Sequence, residues 1–172
     1  YVYSTPDSGT VKKITPNGNT FDTFQVDDDS AVGISISPVT DSGTQYVAAG
    51  TYSTNYLVYR WTVGDLPEKF GNPDWENNEH TDQVRGVAVG KNGNVYTASK
   101  DNTGGGVVRK LDPQGNTVWT NTDHTRGVLD VAVGKDGKVY TGSFDDTVKK
   151  IDPQGNTIWT NNDHTRNVFG VA

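Results

Sequence analysis

Short apolar runs alternate with polar turn residues along the whole chain, and no window sustains a 3.6-residue period. Val128 to Val133 is an apolar run, Lys135-Asp136-Gly137 carries hairpin-turn chemistry, and Val139 to Ser143 reads as the returning strand. Asp145-Asp146 then turns the chain into Thr147 to Ile151. A further turn follows at Asp152-Pro153-Gln154-Gly155-Asn156, where Pro fixes one φ angle and Gly takes a conformation other residues avoid. Thr157 to Thr160 completes a fourth strand. The pattern predicts repeated groups of four antiparallel strands and almost no helix.

The groups are copies of one another. The block beginning at Lys110 starts again at Lys150, and Trp119 and Trp159 lie 40 residues apart. Upstream, Trp75, His80 and Val87-Ala88-Val89-Gly90 match Trp119, His124 and Val131-Ala132-Val133-Gly134 at an offset of 44. The extra residues fall in one connection, where Asp101-Asn102-Thr103-Gly104-Gly105-Gly106 stands opposite Asp145-Asp146. An insertion confined to one connection reads as a surface loop, and its glycines read as slack rather than as a phosphate cradle. Val2-Tyr3 and Thr10 to Ile14 mirror Val139-Tyr140 and Thr147 to Ile151. The predicted units are 1–29, 30–82, 83–126 and 127–166, with 167–172 starting or closing another. A period near 40 is the length of one four-stranded propeller blade.

Composition changes the picture only at its margins. Hydrophobic residues make up 32% and mean hydropathy is -0.66, yet the repeated Trp and Val/Ile positions argue for an ordered fold. The net charge of -6 comes mostly from Asp, with Glu only at 68, 76 and 79, and Asp in turns bonds neighbouring backbone N–H groups. This sign of charge disfavours a nucleic-acid surface. No run reaches membrane-spanning length and no basic, apolar leader is present. The absence of Cys excludes disulfides and thiolate metal sites. The absence of Met and a start within a unit point to a processed chain or a segment.

The stretch Asp123-His124-Thr125, Val128, Val131, Lys135 to Lys138 and Thr141 to Lys149 resembles a WD40 blade. Val139 to Ser143 followed by Asp152 to Trp159 also resembles the quinoprotein-type (PQQ-like) repeat. One or the other covers almost the whole chain, although Leu111 and Ile151 stand where a WD40 blade has its dipeptide Trp. Both resemblances imply an all-β fold, a β-propeller of four-stranded antiparallel blades. The ring is expected either to close by pairing of its N- and C-terminal strands or to form part of a larger propeller. Self-association to complete a ring is a further expectation.

The WD40 resemblance implies a hydrogen-bonded network of His124 with Ser143 and Asp145, and of His80 with Ser99 and Asp101. A half-buried imidazole needs both nitrogens partnered, and a carboxylate and a hydroxyl supply that. In the second unit Asp27, Gly50 and Tyr52 stand at the His, Ser and Asp positions, a joint loss that suits a structural role. His80, His124 and His164 occupy successive blades and are too far apart to share one metal ion. The Asp27-Asp28-Asp29-Ser30 cluster offers oxygens to a hard cation but lacks an EF-hand spacing, and a solvated loop is its simpler reading. No cofactor or metal is therefore expected.

Gly-x-Ser-x-Gly, His-Glu-x-x-His, a phosphate loop and a Cys nucleophile are all missing. The quinoprotein resemblance raises a quinone-dependent dehydrogenase, but those enzymes have a larger ring and vicinal cysteines. The expectation is a non-enzymatic interaction scaffold that binds a protein or a surface glycan through propeller-face loops. Candidate binding residues are Asp27, Asp28, Asp29, Tyr52, Asn55, Tyr56, Asn102 and Gly104. The alternative is a structural or attachment component of an extracellular assembly such as a surface layer, filament or viral appendage, which the Thr, Asn and Asp richness suits.

Overall fold

A computed structural model describes residues 2–4, 10–14, 17–25, 31–37, 44–51, 56–63 and 72–172. The described residues form fifteen strands in four antiparallel sheets, and no helix occurs among them. The first sheet holds β1 (Val2–Ser4), β2 (Thr10–Ile14) and β3 (Thr20–Gln25). The second holds β4 (Ala31–Ile36), β5 (Gln45–Thr51), β6 (Val58–Val63) and β7 (Trp75–Asn77). The third is β8 (Val84–Val89), β9 (Val95–Lys100), β10 (Gly106–Leu111) and β11 (Thr117–Asn121). The fourth is β12 (Val128–Val133), β13 (Val139–Ser143), β14 (Val148–Ile151) and β15 (Thr157–Asn161). Within each sheet, strand order follows chain order, so neighbouring strands are consecutive in the chain.

The period-2 pattern predicts half-buried strands, but β5, β8 and β9 are buried on both faces because each middle sheet has a sheet packed on either side. In β5, Val47 and Ala49 pack with Val11, Tyr59 and Trp61 toward the first sheet, while Ala48 packs with Val84 and Val95 toward the third. The third and fourth sheets meet through Tyr96, Ala98, Val108, Val128, Val131 and Ile151. Period-2 geometry thus sends alternate residues of one strand into two different cores.

Small residues set how close the sheets come. A Cβ on Gly50 would lie 2.5 Å from Val84 Cγ1, and one on Gly142 would lie 2.8 Å from Val168 Cγ1. Val168 therefore occupies on the fourth sheet the place that Val84 occupies on the second. Its N–H donates to Ser143 O at 3.0 Å, and the Val171 N–H donates to Asp130 Oδ2 at 2.9 Å. Residues 167–172 lie along the fourth sheet but belong to no strand of any sheet. The expected closure of the first sheet by the C-terminal residues is not formed among the described residues, where β1 pairs with β2 alone.

Candidate functional site

The His-bearing segments enter β8 and β12 at one end of the sheets, together with the connections from second to third strands. At that end His124 is fully enclosed. Its Nδ1 lies 2.9 Å from Asp145 Oδ2 and its Nε2 lies 2.8 Å from Thr141 Oγ1. A carboxylate only accepts, so Nδ1 carries the proton and Nε2 accepts from the Thr141 hydroxyl. Asp145 also accepts the Thr125 N–H at 2.9 Å and the Thr147 hydroxyl at 2.7 Å. Burial pushes the His124 pKa down against the opposing pull of Asp145, so the ring is neutral.

Ser143 has a different place from the one the resemblance implies. Its hydroxyl sits 2.9 Å and 3.0 Å from the carbonyl oxygens of Arg126 and Gly127, and it accepts the Asp145 N–H at 3.2 Å. It holds the loop that carries the carboxylate, while Thr141 is the hydroxyl on the imidazole. Thr141 and Thr97 stand at the same repeat position and both are wholly buried. A hydroxyl kept at a buried strand position in two copies was the available signal.

The His80 copy is wired differently. Nδ1 accepts from Arg109 Nη1 at 2.8 Å and lies 3.2 Å from Ser99 Oγ. Asp101 does not reach the ring. Its Oδ1 closes its own loop instead, accepting the Thr103 N–H at 2.8 Å, the Thr103 hydroxyl at 2.7 Å and the Gly105 N–H at 2.8 Å. The four-residue insertion supplies those donors, and the carboxylate turns toward them. Burial first, and the Arg109 charge second, lower the His80 pKa to about 3. His80 Nε2 and Thr97 Oγ1, counterparts of the bonded pair in the next sheet, have no hydrogen-bond partner among the described residues.

The register corrects the reading of the second sheet. Ala31 pairs with Thr51 as Val84 pairs with Ser99 and Val128 with Ser143, so Thr51 rather than Gly50 holds the hydroxyl position. Its Oγ1 accepts the Leu57 N–H at 2.8 Å. Gly50 corresponds to Ala98 and Gly142, where close sheet packing demands a small residue. Of the candidate binding residues, Asp27, Asp28, Asp29, Tyr52 and Asn55 lie outside the described residues. Tyr56 has φ +49°, the left-handed conformation that Asp146 adopts at the same turn position with φ +63°. Asn102 and Gly104 are exposed at the tip of the Asp101 loop.

The Gly run is not slack. Gly104 has φ +89°, and Gly105 gives its N–H to Asp101. Gly106 starts β10 and donates its N–H to His124 O at 3.0 Å, tying the third sheet to the fourth.

A second set of contacts joins successive sheets at their outer edges. Trp75 Nε1 donates to Pro113 O at 3.0 Å and Asn77 Nδ2 to Gly115 O at 3.0 Å. One sheet further on, Trp119 Nε1 donates to Pro153 O and Asn121 Nδ2 to Gly155 O, again at 3.0 Å each. Thr117 and Thr157 give their hydroxyls to Glu79 and Asp123. The receiving turns are shaped by Gly115 at φ +88° and Gly155 at φ +95°. A Cβ there would stand 2.8 Å from the Trp75 ring or 2.9 Å from the Trp119 ring.

At the opposite end from the histidines, the β8–β9 and β12–β13 turns enclose a cleft of about 620 Å³. Val89, Val133 and Tyr96 form apolar lining, with Lys91, Asn92 and Lys135 among the polar groups. Tyr96 is braced by Trp119 at 6.2 Å between ring centroids, and its pKa is raised by burial. Sequence reasoning placed binding at the other end, because this cleft is created by two turns a whole repeat apart. Among the described residues no group of His and acidic side chains is arranged to hold a metal ion.

Comparison with known proteins gives a fold and no family. No family model matches the chain, and no curated protein matches it. Among solved structures it is similar to the computationally designed Ika8 protein, with 18% identity and a TM-score of 0.73. The match covers 96% of this chain and 47% of that one, so the chain spans about half the designed protein's length. No helix among the described residues is long and apolar enough to cross a membrane.

Replacing His124 with Ala is expected to lower stability by about 1 to 3 kcal/mol, because Asp145 and Thr141 lose their shared partner in a sealed site. Urea unfolding at pH 7 measures it. An unchanged midpoint would remove the ring from the structural network.

Proposed function

We propose that the four sheets are propeller blades and that the chain is a non-enzymatic scaffold binding a protein or a surface glycan. The observation that carries this reading is the cleft between the β8–β9 and β12–β13 turns. It combines apolar walls and a braced tyrosine with two lysines on rigid hairpins, the composition of a recognition site. Tight turns hold it: Gly93 at φ +80° and Gly137 at φ +75° close hairpins bonded Gly90 to Asn94 and Gly134 to Lys138. The carboxylate, imidazole and hydroxyl of Asp145, His124 and Thr141 form a relay like that of a hydrolase. However, Thr141 is 0% exposed, leaving its hydroxyl out of reach of a substrate.

The lysines favour a partner bearing carboxylate or sulfate groups, with glycan rings or apolar side chains against Tyr96. Binding to an array of acidic and neutral glycans, together with calorimetry on the best ligand, tests this. Lys91→Glu with Lys135→Glu is expected to weaken binding about tenfold or more, consistent with reversing two charges in one site. Deleting Asn102 to Gly105, at the other end of the sheets, is expected to leave it unchanged. The reverse outcome would put recognition on the Asp101 loop.

A further inference from the structure

The outer-edge contact between sheets is built from two short motifs. One sheet supplies Trp-x-Asn-x-Asp/Glu and the next supplies Pro-x-Gly-Asn-Thr. Trp75-Asn77-Glu79 grips Pro113-Gly115-Thr117, and Trp119-Asn121-Asp123 grips Pro153-Gly155-Thr157. The sequence holds one more copy of each. Trp159-Asn161-Asp163 stands on β15, and Pro16-Gly18-Thr20 stands at the β2–β3 turn. Pro16 lies outside the described residues.

These last copies do not meet. A Cβ on Gly18 would find nothing within 4 Å, although its φ of +82° matches the two turns that cradle a Trp ring. Trp159 is 41% exposed, and Asn161 and Asp163 keep the mutual bonds that Asn121 and Asp123 also make, here at 3.1 Å, but have no bond to another sheet among the described residues. Phe169 is 72% exposed, with Phe144 at 6.4 Å between ring centroids, and residues 168–172 lie on the fourth sheet where the innermost strand of another sheet would run. Among the described residues the first sheet supplies what is missing: three strands, with β1 paired on one side only, and an open turn at Gly18.

We infer that a second copy of this chain docks head to tail here, Trp159, Asn161 and Asp163 of one copy gripping the Gly18 turn of the other. The contact continues an interface the chain already forms twice within itself, with the same residue types at the same spacing. Residues 168–172 then add to β1, with Val171 opposite Ser4 and Ala172 opposite Tyr3, the register of Val131 with Thr141 and Ala132 with Tyr140. Two spans of 47% nearly fill the length of the matched designed chain, so two copies close a ring through two identical contacts. The closed ring rests on the propeller reading; the grip itself rests only on the repeated contact.

Light scattering on the chain of residues 1–172 tests the inference, with a dimer as the expected species. Trp159→Ala removes an exposed side chain and is expected to keep the wild-type circular dichroism while weakening the dimer about thirtyfold or more. The chain has no Cys, so a Thr20→Cys, Asn161→Cys double variant provides a second readout. Its model is Asn121 Nδ2, which lies 3.2 Å from Thr157 Oγ1. Oxidation is expected to give covalent dimers on a non-reducing gel. Monomers throughout, or a disulfide formed within one chain, would overturn the second copy as the occupant while leaving glycan binding untouched. Open-ended larger species that cross-link between chains would overturn the two-copy ring, and with it the curvature the propeller reading requires.

Discussion

Lowering the pH from 7 to 5 is expected to cost the fold roughly 2 kcal/mol through His80 alone. In the unfolded chain this imidazole takes a proton near pH 6.5, whereas burial and Arg109 hold the folded ring unprotonated down to about 3. A depressed folded pKa means that the unfolded state binds more protons throughout that window. The stabilisation is therefore fully present above pH 6.5 and falls by about 1.4 kcal/mol per pH unit as the pH drops toward 3. His124 shifts in the same direction and adds to the loss. The turn carboxylates Asp112 and Asp152 are held below their ordinary range by their Asn116 and Asn156 bonds, so they contribute only below about pH 4. Urea midpoints at pH 7 and pH 5 should separate clearly in the wild type and less in His80→Gln. Equal midpoints at the two pH values in the wild type would contradict the buried, neutral ring.

The two histidines also show how far one sequence carries. The repeat, the strand groups and the turn chemistry were legible because they are local: Asp112-Pro113-Gln114-Gly115-Asn116 closes on its own carboxylate, and Val139 to Ser143 is a five-residue strand set off by turn residues on either side. Contacts between repeats were not. Trp75 finds Pro113 across 38 positions and Trp119 finds Pro153 across 34, so the four-residue insertion hides a shared pairing. The motif pair was visible as composition but not as a contact. Similarly, Asp101 and Asp145 looked equivalent, and only the donors supplied by Thr103 and Gly105 turn the first away from its histidine. The cleft beside Tyr96 needed the relative position of two hairpins, which period and propensity do not contain.

Gly106→Ala is expected to lower stability by about 3 kcal/mol or more, the effect of forcing a methyl group into a close-packed interface. An added Cβ would sit against the Arg126 carbonyl oxygen and 2.5 Å from the Cβ of His124. Neither is the far end of a flexible side chain, and the Gly106 N–H bond to His124 O fixes the approach from the third sheet. Gly104→Ala is the matched control: nothing lies within 4 Å of its Cβ, and φ +89° alone is expected to cost about 1 kcal/mol. Deleting Asn102 to Gly105 leaves Gly106 directly after Asp101. There it replaces Asp146, whose φ of +63° a glycine adopts without strain. Urea unfolding of the three variants should therefore rank Gly106→Ala far below Gly104→Ala and the deletion. If Gly106→Ala unfolds at the wild-type midpoint, the third and fourth sheets are not locked together at His124, and the loop's glycines are the slack that their sequence suggests.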